Sequence, residues 1–67
     1  MMFTIEQARK YAGLTQAELA KRLNISRDVY RRLISAPETV TVLQAKTISK
    51  ETGISVDNII FLQEGST

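Results

Sequence analysis

Neither cysteine nor histidine occurs in the chain. The first absence removes disulfides and thiolate metal sites. The second removes the commonest general base and the commonest metal ligand. Glycine is scarce, with three residues, and no glycine-rich run could cradle a phosphate. The carboxylates are spread along the chain without an evident pair, so acid–base catalysis has no candidate constellation. No apolar run approaches the roughly 18 residues of a membrane span. Met1-Met2-Phe3-Thr4 has neither the basic start nor the apolar core of a secretion signal. A cytoplasmic protein that is not an enzyme, needs no cofactor or metal and touches no membrane is expected.

What is present is charge, unevenly placed. With 67 residues the chain makes one domain, and its net charge is +2. Residues 1–33 hold Arg9, Lys10, Lys21, Arg22, Arg27, Arg31 and Arg32 against Glu6, Glu18 and Asp28, a balance of +4. Residues 34–67 hold Lys46 and Lys50 against Glu38, Glu51, Asp57 and Glu64, a balance of −2. A basic half beside an acidic half suits a polyanionic partner on one face. A merely solvated helical surface is the plain alternative.

Helical periodicity dominates, and its start signals are regular. Thr4 with Gln7, Thr15 with Glu18, and Thr41 with Gln44 are capping boxes, in which the Thr hydroxyl and the later side chain satisfy each other's backbone N–H. Ser26 and Ser55 are further caps. Gly13, Asn24 and Gly53 stand where a left-handed residue would end a helix. The signals predict helices over 4–12, 16–23, 27–35, 42–52 and 56–62. Residues 1–64 are expected to form the domain and 65–67 a frayed tail. Ile5, Ala8 and Ala12 share one apolar face. So do Leu19, Ala20 and Leu23, then Val29, Tyr30 and Leu33, then Val42, Ala45, Ile48 and Ser49, then Ile59 and Leu62. The expected fold is a compact all-α domain of five helices.

Only Asn24, Ile25 and Ser26 separate the second and third helices, so the two must cross steeply. That is the spacing of a helix-turn-helix, whose second helix enters the DNA major groove. "GLTQAELAKRLNIS" at 13–26 resembles the signature of the lambda-repressor-like (XRE or Cro-type) family, and "TGISVDNII" at 52–60 is similar to that family's "LGVSLDELL". The likeness covers residues 4–62. It implies a five-helix DNA-binding domain acting as a dimer on a palindromic operator, a transcription repressor or regulator associated with the nucleoid of a bacterial or phage-infected cell.

By that resemblance Gln16 would bond a DNA phosphate, and Ser26, Arg27, Asp28, Arg31 and Arg32 match the exposed recognition positions. Arginine can pair bidentately with guanine. Asp28 could accept from cytosine or hold Arg31 or Arg32 in place, the second being favoured. Lys10, Lys21, Arg22 and Arg9 read as solubilising surface. The chain departs from the family pattern at Tyr30, where Ile or Val is usual, and so its ring should pack with the hydroxyl at the rim. It departs at Ile34-Ser35-Ala36, where Glu-x-Gly is usual. "APETVT" at 36–41 is a longer connection, and Thr52 replaces a common Leu.

Ile59, Ile60, Phe61 and Leu62 are consecutive, and one helical face cannot bury all four. Ile60 and Phe61 are therefore expected on the outside of a fifth helix, as a homodimer interface. A second class of function stays open: a protein-interaction module, such as an antitoxin or anti-repressor, whose main partner is a protein.

Overall fold

The computed structural model describes residues 1–61. It contains α1 (Ile5–Tyr11), α2 (Gln16–Arg22), α3 (Arg27–Ser35) and α4 (Val42–Thr52), with single 3-10 turns at Pro37–Thr39 and Val56–Asn58. All three capping boxes form. Thr4, Thr15 and Thr41 each accept from the backbone N–H three residues on, and Gln7, Glu18 and Gln44 accept from the cap residue's own N–H. These bonds satisfy donors that a helix start otherwise leaves open, a contribution of about 1 kcal/mol per cap.

The core is assembled from one or two residues of each α-helix and from residues of the connecting segments. Ile5 and Ala8 of α1, Leu19 and Ala20 of α2, Leu23, Tyr30 of α3, Ile48 of α4, Ile54 and Ile59 form a single buried cluster. Tyr30, Leu19 and Ile48 are its largest fully buried side chains. Packing runs α1 on α4, α2 on α4 and α2 on α3. Arg22 and Glu51 add an ion pair between α2 and α4.

The connection from α3 to α4 is built without glycine. Ala36 leaves the helical region at φ −137° and ψ 71°, Pro37 opens a 3-10 turn, and the Thr39 hydroxyl donates to the Ala36 carbonyl at 2.7 Å. At the far end of α4, Thr52 is buried, and its hydroxyl is used twice. It donates to the Ile48 carbonyl at 2.7 Å and accepts from the Ile54 N–H at 3.3 Å. Gly53 follows with φ 74°, closing the helix in the left-handed region. A Thr52→Val variant leaves the Ile54 N–H without its partner. It is expected to lower the unfolding free energy by about 1–2 kcal/mol, read from a urea titration.

Two expectations are corrected. There is no fifth helix among the described residues. After the turn at Val56–Asn58 the chain is extended, with Ile59 at φ −111° and ψ 134°. Ile59 forms a parallel bridge with Phe3. The Phe3 N–H donates to the Asn58 carbonyl at 2.8 Å, and the Ile60 N–H donates to the Phe3 carbonyl at 2.7 Å. The physical reason lies in the apolar run itself. In an extended chain successive side chains alternate. Ile59 is buried in the core and Phe61 packs against it, while Ile60 turns to a groove beside Ile5, Ile34 and Pro37. A single helical stripe could not have sheltered all three. Leu62, the final position of the expected helix, and the expected tail at 65–67 lie outside the described residues.

The second correction is Val42. It does not join the core but is 74% exposed, as is Leu43. The buried side of α4 is set by Ile48 and Thr52, and the helix's first turn puts its apolar residues toward solvent.

Candidate nucleic-acid interface

The corner between α2 and α3 is made by a left-handed residue. Leu23 ends α2, and Asn24 follows at φ 60°. The Asn24 N–H donates to Lys21 and the Ile25 N–H to Ala20, both at 3.0 Å. This pair of bonds reverses the chain within one turn and satisfies the last carbonyls of α2. Gly13 at φ 75° ends α1 in the same way, with Gly13 bonded to Lys10 and Leu14 to Arg9. Ser26 then starts α3, its hydroxyl accepting from the Val29 N–H at 3.1 Å.

On α3 the inward side is fixed by Tyr30 and Leu33. Helical geometry leaves Arg27, Asp28, Arg31 and Arg32 on the opposite side, and all four are exposed. Among the described residues none of the three arginines pairs with a carboxylate, and the ion pairs are Arg9–Glu6 and Arg22–Glu51. Asp28 therefore does not clamp Arg31 or Arg32 here. The arginines leave the helix on different flanks. Arg31 borders a groove of about 490 Å³ shared with Thr4, Ile5, Glu6 and Ile60. Arg27 lies toward the α2–α3 corner, near Lys21 and Asn24.

Gln16, at the first position of α2, is half-buried, and its side chain is already engaged. Its amide Nε2 donates to Glu6 Oε2 at 2.8 Å. Glu6 is the centre of a larger network. Arg9 donates to it through Nε at 2.6 Å and Nη2 at 3.1 Å, and the Tyr30 hydroxyl donates at 2.9 Å. Arg9 Nη1 reaches on to the Leu14 carbonyl at 2.7 Å. One carboxylate of α1 thus holds α2 and α3. The Tyr30 hydroxyl is buried against this network rather than set at an open rim. Arg9 is a structural cation and not solubilising surface.

Sequence reading missed Glu6 and Arg9. The available signals were their spacing of three on one helix and a buried tyrosine that needs an acceptor.

Burial pushes the Glu6 carboxyl up, but the hydrogen bonds from Arg9, Gln16 and Tyr30 and the Arg9 charge outweigh it. The net result is a value of about 2, below its ordinary 4.5. Burial and the Glu6 acceptor push the Tyr30 hydroxyl well above its usual range. A carboxyl with a depressed folded-state pKa stabilises the fold above its unfolded value, and that stability is lost as pH falls through the folded one. Stability is therefore expected to fall between about pH 5 and pH 2. The side chain is 27% exposed, so solvent screening reduces Glu6's share to about 1–2 kcal/mol. Urea midpoints across that range, for wild type and Glu6→Gln, measure it; the variant's acid slope is expected to be shallower.

A steep two-helix corner, a capped helix with a basic exposed face and a rigid core behind it define a helix-turn-helix domain. The chain belongs to the lambda-repressor-like helix-turn-helix family of DNA-binding regulators: a family model described as helix-turn-helix matches residues 5–59. No curated protein and no solved structure matches the chain. No helix among the described residues is long and apolar enough to cross a membrane.

Proposed function

We propose that this protein is a sequence-specific repressor of the Cro or phage-repressor style, binding a palindromic operator as a dimer. The observation that carries the reading is the exposed face of α3, where Arg27, Arg31 and Arg32 have no carboxylate partner among the described residues. Three guanidinium groups on the outward side of a helix whose inward side is anchored in the core by Tyr30 and Leu33 suit guanine and phosphate alike. In this reading Ser26 and Gln16 contact phosphates, Arg27, Arg31 and Arg32 face base edges, and Asp28 accepts from a cytosine amino group. Two copies would set their third helices about 34 Å apart, in successive major grooves. Repression follows from overlap with a promoter.

The self-association surface needs a different basis from the one expected. Ile60 and Phe61 are half-buried parts of an extended segment, so they do not form the outer face of a helix. If they still mediate the dimer, Ile60→Asp with Phe61→Asp will sediment as a lighter species than wild type. A protein-partner module is the second reading, favoured by Val42 and Leu43, which expose adjacent apolar side chains on α4.

Selection from random duplex DNA at two salt concentrations tests the proposal. The expected product is a palindrome with half-sites about one helical turn apart, bound less tightly at high salt. Failure to enrich any sequence would overturn it in favour of the protein-partner module.

A further inference from the structure

We propose that Glu6 is a positioning residue of the DNA interface, acting through Gln16. This inference rests on the reading of Gln16 as a phosphate contact. A glutamine side chain on a protein surface samples many rotamers, and fixing it on binding costs entropy. Here that ordering is done in advance. One N–H of the Gln16 amide is held by Glu6 Oε2 at 2.8 Å. The second N–H and the amide oxygen have no partner among the described residues, and the side chain is only half-buried, so a donor remains for a phosphate oxygen.

A bare carboxylate at that position would repel the phosphate. Glu6 is not bare: Arg9 binds both its oxygens, at 2.6 and 3.1 Å. The pair is close to neutral, which lets a carboxylate serve as an anchor near a polyanion. The same carboxylate accepts from Tyr30 at 2.9 Å, in the middle of α3. The α2 phosphate contact and the α3 reading face are therefore referenced to one point on α1. Among the described residues no other side chain hydrogen-bonds Gln16, so Glu6 supplies the hydrogen bond that orients its amide.

The test is a double-mutant cycle on affinity for the selected operator. Glu6→Gln keeps the shape of the side chain and the acceptor for Tyr30, but turns an amide N–H or a shared oxygen toward Gln16 in place of a charged acceptor. Gln16→Ala removes the contact itself. Each single variant is expected to weaken binding about five- to tenfold, as the loss of one hydrogen bond would. The double variant is expected to be no weaker than either single one, because the second change has nothing left to remove. If the two losses multiply, Glu6 does not act through Gln16 and the proposal is overturned. If Gln16→Ala binds like wild type, the phosphate contact itself is wrong and the proposal falls with it, while α3 binding is untouched.

Glu6→Gln also loosens a network at the core, so a variant that spares it is needed. Gln16→Asn keeps an exposed amide but is one methylene too short to reach Glu6. Arg9, Glu6 and Tyr30 stay bonded, and the melting temperature is expected to stay within about 2 °C of wild type. Its operator affinity is expected to fall as far as that of Gln16→Ala. Wild-type affinity in Gln16→Asn would show that an unclamped amide serves equally well, and would overturn the proposal.

Discussion

Replacing Arg31 and Arg32 together by alanine is expected to weaken binding to the selected operator by about 100-fold or more, since each guanidinium well paired with a base contributes about 1–3 kcal/mol. The fold should not register the change. Both residues are exposed, neither makes an ion pair among the described residues, and the inward side of α3 is held by Tyr30 and Leu33. Surface changes of this kind usually stay within about 0.5 kcal/mol of wild type. A thermal melt beside an anisotropy titration separates the two effects. The pattern across sequences identifies what the arginines touch. A loss confined to the operator, with weak non-specific binding retained, assigns them to base edges. A uniform loss over all duplexes, with the salt slope reduced by about 0.9 for each arginine, assigns them to phosphates. Arg31 borders the groove toward α1, where Thr4 and Ile60 also lie. The single variants are therefore expected to differ, with Arg32→Ala losing more sequence discrimination than Arg31→Ala. Unchanged binding in the double variant would remove α3 as the reading element.

Most of the helical frame was legible because its signals are local. A capping box is a relation between residues three apart, and Thr4, Thr15 and Thr41 met that relation in the sequence as they do in space. Gly13, Asn24 and Gly53 marked left-handed positions for a reason that needs no tertiary information. The end of the chain was different. "NIIFL" has the apolar content of a helix or of a strand, and the choice was made by Phe3, almost the whole chain away, whose backbone N–H and C=O both pair with it. A short window contains no trace of that partner. The β-branched Ile59 and Ile60 were the one local hint toward the extended state.

The site divides along the same line. The exposed face of α3 follows from its period and was readable. The network around Glu6 was not, because its bonds from Gln16 and Tyr30 join residues on different helices. Thr52 shows a milder case. In the sequence it marks a weak spot in an apolar helix, whereas in the fold its hydroxyl closes two backbone groups.

Tyr30 is where core and interface meet, and its replacements should separate them. Tyr30→Ala empties the largest fully buried position and is expected to cost about 3–5 kcal/mol. A chain of this size has about 5 kcal/mol of stability in total. The variant should therefore be substantially unfolded at 37 °C, with no operator binding. Tyr30→Phe keeps the ring and removes only the donor to Glu6. Arg9 and Gln16 still bond that carboxylate, so no buried charge is abandoned. The expected cost is about 1–2 kcal/mol at neutral pH. The acid side gives the sharper test. The Tyr30 hydroxyl is one of the groups holding the Glu6 carboxyl down to about 2. Without it the carboxyl takes up its proton at higher pH, so the acid loss of stability should still begin near pH 5 but be smaller in total and be complete at a higher pH than in wild type. Once Glu6 is protonated, a neutral acceptor gains less from the hydroxyl, so the gap between wild type and Tyr30→Phe should narrow toward pH 2. A gap that stays constant from pH 7 to pH 2 would mean that the hydroxyl contributes independently of the Glu6 charge. In that case the α1–α3 tie is made by ring packing, and the carboxylate anchors α2 alone.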